Sequence, residues 1–217
     1  NPKNARGYGY WLWKPYVIMK TLSQINDGDF LVYTDVGCVF NPQGMDRLKE
    51  YEYMLDQNDF GMIVFQLSKK LIEIKYTKRA TLNFLNATDQ EINSPQYMAT
   101  VILMKKTNRL VNFIKHWYLF ACSNQYKFLT GEKHPKIREY PEFIDHRHDQ
   151  SIYSLMVKKV VNNHVMDDKN KPILLEDETW FQPNWEEDGI NFPIWSRRFR
   201  SPIEENDQDQ AQDQKEC

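Results

Sequence analysis

This sequence has no run of about eighteen apolar residues, which excludes a chain organised around a membrane-spanning helix. Cysteine is scarce. Cys38, Cys122 and Cys217 are the only three in 217 residues, with neither disulfide nor metal spacing. That excludes a disulfide-stapled scaffold and fits a reducing, cytoplasmic compartment. Glycine is also sparse, at eight residues, and no glycine-rich phosphate loop of either standard type occurs. There is no internal repeat. The opening residues, Asn1 to Arg6, form neither a start methionine nor a signal peptide, and they read as the continuation of a longer chain.

What is present is a good core composition, 41% hydrophobic and 14% aromatic. The net charge of −2 is unevenly spread. Beyond Ile203, six acids stand against Lys215 alone, which leaves the rest of the chain at net +3. Residues 203–217 have too few apolar side chains (Ile203, Ala211 and Cys217) to offset the cost of ordering, and read as a disordered acidic tail behind a single domain, 1–202. A mildly basic domain suits an anionic small molecule and falls short of a nucleic-acid binder.

Strands and helices alternate, which predicts an α/β fold. Helices are expected at Lys14 to Ile25, Met45 to Gln57 and Lys78 to Leu85, and strands at Asp29 to Thr34, Gly61 to Leu67 and Tyr97 to Met104. Leu110, Phe113, Ile114, Trp117 and Ala121 give the next helix a clear apolar side. Residues 125–147 are irregular and too long for a plain connector. Asp149 is expected as the N-cap of a helix carrying Ile152, Leu155, Met156 and Val160. Asn163 to Val165 is expected as a short edge strand, and Pro172 to Pro202 as ordered coil.

Six places could carry chemistry. The buried strand at residue 30 ends on Asp35, with Gly37 two residues on, where open α/β sheets bind ligands. Arg6-Gly-Tyr-Gly-Tyr-Trp-Leu-Trp-Lys-Pro15 could lay an aromatic platform beside that edge, with Lys14 near phosphate. Equally, it could pack a helix entrance. Gln96, in Asn93-Ser-Pro-Gln96, would share the crevice with Asp35 if their strands are close. His146-Arg-His-Asp-Gln-Ser151 offers His146, His148 and Asp149 as metal ligands or acid/base groups, or as a cap with surface histidines. Lys78-Arg79, Arg197-Arg198 and Arg200 are candidate diphosphate clamps. Trp180 to Asp188 sets three acids among indoles.

In their order along the chain these segments, with Pro183-Asn-Trp185-Glu186, resemble a group of glycosyltransferases of bacteria and large viruses. These are nucleotide-sugar enzymes of GT-A fold. The resemblance covers roughly residues 6 to 200. It implies a Rossmann-like mixed sheet flanked by helices, here lacking the first βα unit. It also implies a donor site using Asp35, Gly37, Lys14, Lys78, Arg79, Gln96 and Trp185, and sugar-contacting, catalytic Asp149 and Gln150. Such enzymes often hold Mn²⁺ or Mg²⁺ with Asp-x-Asp. Gly37 replaces the second Asp here, so a cation would draw on Asp35 and His148, or basic residues would neutralise the diphosphate instead. The implied partners are a nucleotide-diphosphate sugar and a glycan or protein hydroxyl. Two other readings stand beside it: a non-catalytic carbohydrate-binding or degenerate module, and a metal hydrolase built on His146, His148 and Asp149.

Overall fold

The computed structural model describes residues 7–163, 165–181 and 184–197, so the expected acidic tail lies outside the described residues. The main sheet is mixed. It holds β1 (Phe30–Thr34), β3 (Met62–Gln66), β4 (Val101–Lys105) and β5 (Ile173–Glu176), in the order β1-β4-β3-β5. β4 is antiparallel to both neighbours, and β5 runs parallel to β3. A small second sheet pairs β2 (Val39–Phe40) with β6 (Ile194–Trp195).

Helices cover both faces. One short turn, α1 (Gly7–Tyr10), leads into α2 (Trp13–Leu22), and α3 (Met45–Asp56) follows β2. Three short helices, α4 (Glu73–Tyr76), α5 (Arg79–Phe84) and α6 (Asp89–Ile92), precede β4. The longest are α7 (Asn108–Cys122) and α8 (Asp149–Val161). None among the described residues is long and apolar enough to cross a membrane.

The two-residue period of a strand divides the core. Met62, Val64, Ile102 and Met104 pack with Ile18 of α2, with Ile114 and Trp117 of α7, and with Leu155 of α8. Their neighbours Ile63, Phe65, Val101 and Leu103 pack with Tyr51 and Leu55 of α3. Both central strands are therefore buried on two faces, which explains their unbroken apolar spelling. Gly61 makes the entry to β3 possible. Its φ is +81°, and a Cβ there would stand 2.3 Å from the Lys105 carbonyl oxygen.

Three expectations need correction. Of the strand expected at Asn163 to Val165, His164 lies outside the described residues and neither Asn163 nor Val165 is in a strand: Met166 N donates to Asn163 O at 3.2 Å in a turn. The fourth strand is instead β5, inside the segment read as coil. Its side chains alternate between half-buried and exposed, and only its pairing with β3 makes it a strand. The strand expected from Tyr97 is continuous only from Val101: Tyr97 pairs with Gln66 in an isolated antiparallel bridge, while Tyr97 N and Ala99 N donate to Ser154 Oγ and the Gln150 side chain.

A buried polar cluster joins α4 to α8. The Glu73 carboxylate is fully buried and accepts from Lys158 Nζ at 2.9 Å, Gln96 Nε2 at 2.9 Å, and the hydroxyls of Thr77 and Ser154. Removing one partner of such a pair strands the other charge away from water. Lys158→Met is predicted to lower unfolding free energy by about 3–5 kcal/mol in urea melts. The adjacent, partly exposed Lys159 pairs with buried Glu91, which keeps hydrogen bonds from Thr88 N and Asn162 Nδ2, so Lys159→Met is predicted to cost less, about 1–2 kcal/mol. Equal losses would contradict this account.

Candidate functional site

β1 and β3 run the same way, so their carboxyl ends share one edge of the sheet with the start of β4. Asp35 closes β1 there: its N–H donates to Thr100 O at 2.9 Å, and its carbonyl accepts from Cys38 N at 3.0 Å across a tight turn. Gly37 is the third residue of that turn. Asp149 arrives from α8, whose first turn is fixed by Trp117 Nε1 donating to Asp149 O at 3.2 Å. The N-cap of α8 is His148, not Asp149. Asp149 is the first helical residue, and no side chain caps the helix.

Lys14, in the first turn of α2, reaches between the two acids. Its Nζ lies 2.8 Å from Asp149 Oδ2 and 3.3 Å from Asp35 Oδ1, and donates to Ala99 O at 3.0 Å. The contact to Asp149 Oδ2 has hydrogen-bond length without ideal alignment, so charge attraction is its substance. Tyr33 donates its hydroxyl to Asp35 Oδ1 at 2.9 Å. Lys14 and Asp149 are buried, whereas the Asp35 side chain keeps 22% exposure, so Asp35 is the carboxylate open to a ligand.

Burial lowers the affinity of Lys14 for its proton, but Asp149 and Asp35 more than offset this and its pKa is raised. Burial pushes the Asp149 carboxyl up, Lys14 pulls it down, Asp35 pushes it up again, and the net direction is up. Burial and Asp35 together raise the Tyr33 phenol well above its ordinary range.

Glutamines extend the site. Gln150 Oε1 accepts from Ala99 N at 3.3 Å, and Gln150 Nε2 donates to Gln96 Oε1 at 3.0 Å. Gln96 in turn donates to Glu73. Lys14, Asp35, Gln96, Asp149 and Gln150 therefore meet in one contiguous polar group.

The histidines anchor loops. His146 accepts from Lys78 N at 3.3 Å on Nδ1, and its Nε2 donates to Phe128 O at 2.9 Å. His148 Nδ1 donates to Leu129 O at 2.9 Å, and its ring lies 4.7 Å from that of Tyr10 and 5.7 Å from that of Trp11. Those two rings are presented by five successive residues with left-handed φ, Gly7 to Trp11. Gly7 is required there: a Cβ would stand 2.5 Å from the Trp11 ring. His148 itself has φ 53° and ψ −116°, a strained backbone for a non-glycine residue.

Other candidates lie elsewhere. Lys78 is buried, and its ammonium donates to the carbonyls of Lys127, Thr130 and Glu132, so burial lowers its pKa to about 8 while the charge is spent within the loop. Arg79 stacks on Tyr140, 4.5 Å away. Trp185 is buried among Trp180, Phe181 and Trp195. Arg197 meets Glu186 at 3.1 Å, and Arg198 and Arg200 lie outside the described residues. Sequence reading missed Tyr33, Glu73 and Lys158. Ser151, Ser154 and Lys158 recur at helical spacing on one side of α8, and that polar stripe was the available signal.

The donor set does not fit a resident divalent cation. Asp35 and Asp149 converge on a point held by an ammonium whose nitrogen lies within 3.3 Å of three oxygens. Among the described residues no group of three His, Cys, Asp or Glu could hold an ion. Lys14→Ala is predicted to acquire a saturable Mn²⁺ site, read as paramagnetic NMR broadening at residues 35 and 149, with none in the wild type. Broadening in the wild type that Asp35→Asn removes would contradict this.

Comparisons with family models, curated proteins and solved structures gave no match for this chain.

Proposed function

We propose that this chain is a glycosyltransferase of GT-A type that moves a sugar from a nucleotide-diphosphate donor to a hydroxyl on a glycan or protein. One observation carries the reading: Lys14 Nζ bridges Asp35 and Asp149 at the carboxyl edge of the sheet, 3.3 and 2.8 Å from their oxygens. Residues from α2, β1 and α8, far apart in sequence, meet where α/β sheets bind ligands. The outer edge of β1 has no partner among the described residues, which suits the added first βα unit that the resemblance implies.

In this proposal Asp35 accepts hydrogen bonds from donor hydroxyls through its exposed oxygen. Tyr33 and Lys14 fix its rotamer and charge. Exposed Tyr8, beside the Tyr10–Trp11 pair, offers a face for stacking against a base or sugar. Asp149, turned onto Lys14, acts as a positioning residue, and half-buried Gln150 is the residue of that pair able to reach sugar. The acceptor oxygen forms the new bond to the anomeric carbon. The bond to the diphosphate oxygen breaks, with its electron pair leaving on the diphosphate and the acceptor proton passing to a carboxylate or solvent. The burial of Asp149 also favours a second reading, a carbohydrate-binding module without turnover.

The test is incubation with a panel of nucleotide sugars and hydroxyl acceptors, with and without Mn²⁺, following nucleoside diphosphate release. We predict release with at least one donor, and a loss of about 10²-fold or more in Asp35→Asn. Saturable glycan binding without release from any donor would select the binding module.

A further inference from the structure

A second concavity lies away from the Asp35 edge, between the outer sides of α7 and α8, with a volume of about 620 Å³. It shares no lining residue with the Lys14 site. Val160, in its wall, is eleven residues along α8 from Asp149, roughly 16 Å at the helical rise. Its apolar wall is built from Phe84, Phe113, Phe120, Met156 and Val160. The size falls in the range of small-molecule sites, about 300–1,000 Å³.

The polar part of the lining is basic. Arg109, His116 and Lys159 stand round the apolar wall with the neutral amides Asn86 and Asn112, and no acidic side chain among the described residues lines it. Lys159 is already paired with Glu91. Arg109 is different: it sits in the first turn of α7, where the helix dipole disfavours a cation, and it makes no ion pair among the described residues. Its side chain is exposed at the groove, where its charge is open to a ligand. His116 follows seven residues on along the same helix, its Nδ1 meeting Asn112 O at 2.7 Å and its ring lying 6.5 Å from that of Phe120.

We propose that this groove binds a single-chain amphipathic anion, a fatty carboxylate, with its tail against the phenylalanines and its head at Arg109 and His116. Apolar depth and unpaired positive charge then serve one ligand. A neutral apolar ligand would leave Arg109 unused, and a purely polar anion would leave the aromatic wall wet.

The probes are octanoate, decanoate, dodecanoate and dodecanol, titrated calorimetrically into the chain. Affinity is expected to rise about fourfold per methylene through the carboxylate series, with one dodecanoate bound per chain. Arg109→Gln, an exposed change, is expected to weaken dodecanoate about tenfold and leave dodecanol unchanged. Val160→Trp, which fills the groove, is expected to abolish binding of both, and Val160→Phe serves if the larger change unfolds the chain. No saturable binding, or equal dodecanoate binding in wild type and Arg109→Gln, would overturn the proposal. The readout involves no sugar donor, so it stands or falls apart from glycosyl transfer.

Discussion

The Lys14 ammonium has been taken out of water and placed against two carboxylates, and the site depends on that placement. Either acid without Lys14 would be a charge at a buried sheet edge, and Lys14 without them would be a buried cation. Together with Ala99 O they form one compact group, whose open part is the Asp35 carboxylate. Because all three groups are engaged, the geometry of the edge is fixed before any ligand arrives.

The same polar chemistry continues inward. Ala99 is held on both sides, its carbonyl by Lys14 and its N–H by Gln150. Gln150 bonds Gln96, Gln96 bonds Glu73, and Glu73 bonds Lys158, about two and a half turns along α8 from Asp149. A network of this kind specifies one arrangement of α2, α4, β4 and α8, since a half-made version leaves buried polar groups unsatisfied. Backbone strain collects nearby, in the left-handed run from Gly7 to Trp11 and at His148, whose rings pack together.

The legible parts of the sequence were those written in periodicity. The apolar runs of β3 and β4 and the apolar side of α7 announce themselves, because burial on a known period is their physical cause. Asp35 was legible as a strand-end acid, and Asp149 as the start of α8. β5 was not, because its four residues alternate weakly and become a strand only against β3. Lys14 was read as a residue near phosphate. Its contacts with Asp149 and Ala99 are made across 135 and 85 residues of sequence, which no local pattern encodes. Lys78 was read as a possible diphosphate clamp or a solvated surface residue, and nothing local signalled that the 127–132 loop would fold over it.

The most direct test of the central interaction is a double-mutant cycle between Lys14 and Asp149, by urea unfolding of wild type, Lys14→Met, Asp149→Asn and the double variant. If the ammonium and the carboxylate neutralise one another in the buried site, each single change costs about 3–5 kcal/mol, and the double costs less than their sum by about 2–3 kcal/mol. Additive losses within about 0.5 kcal/mol would contradict the account, because they would mean the two charges do not meet.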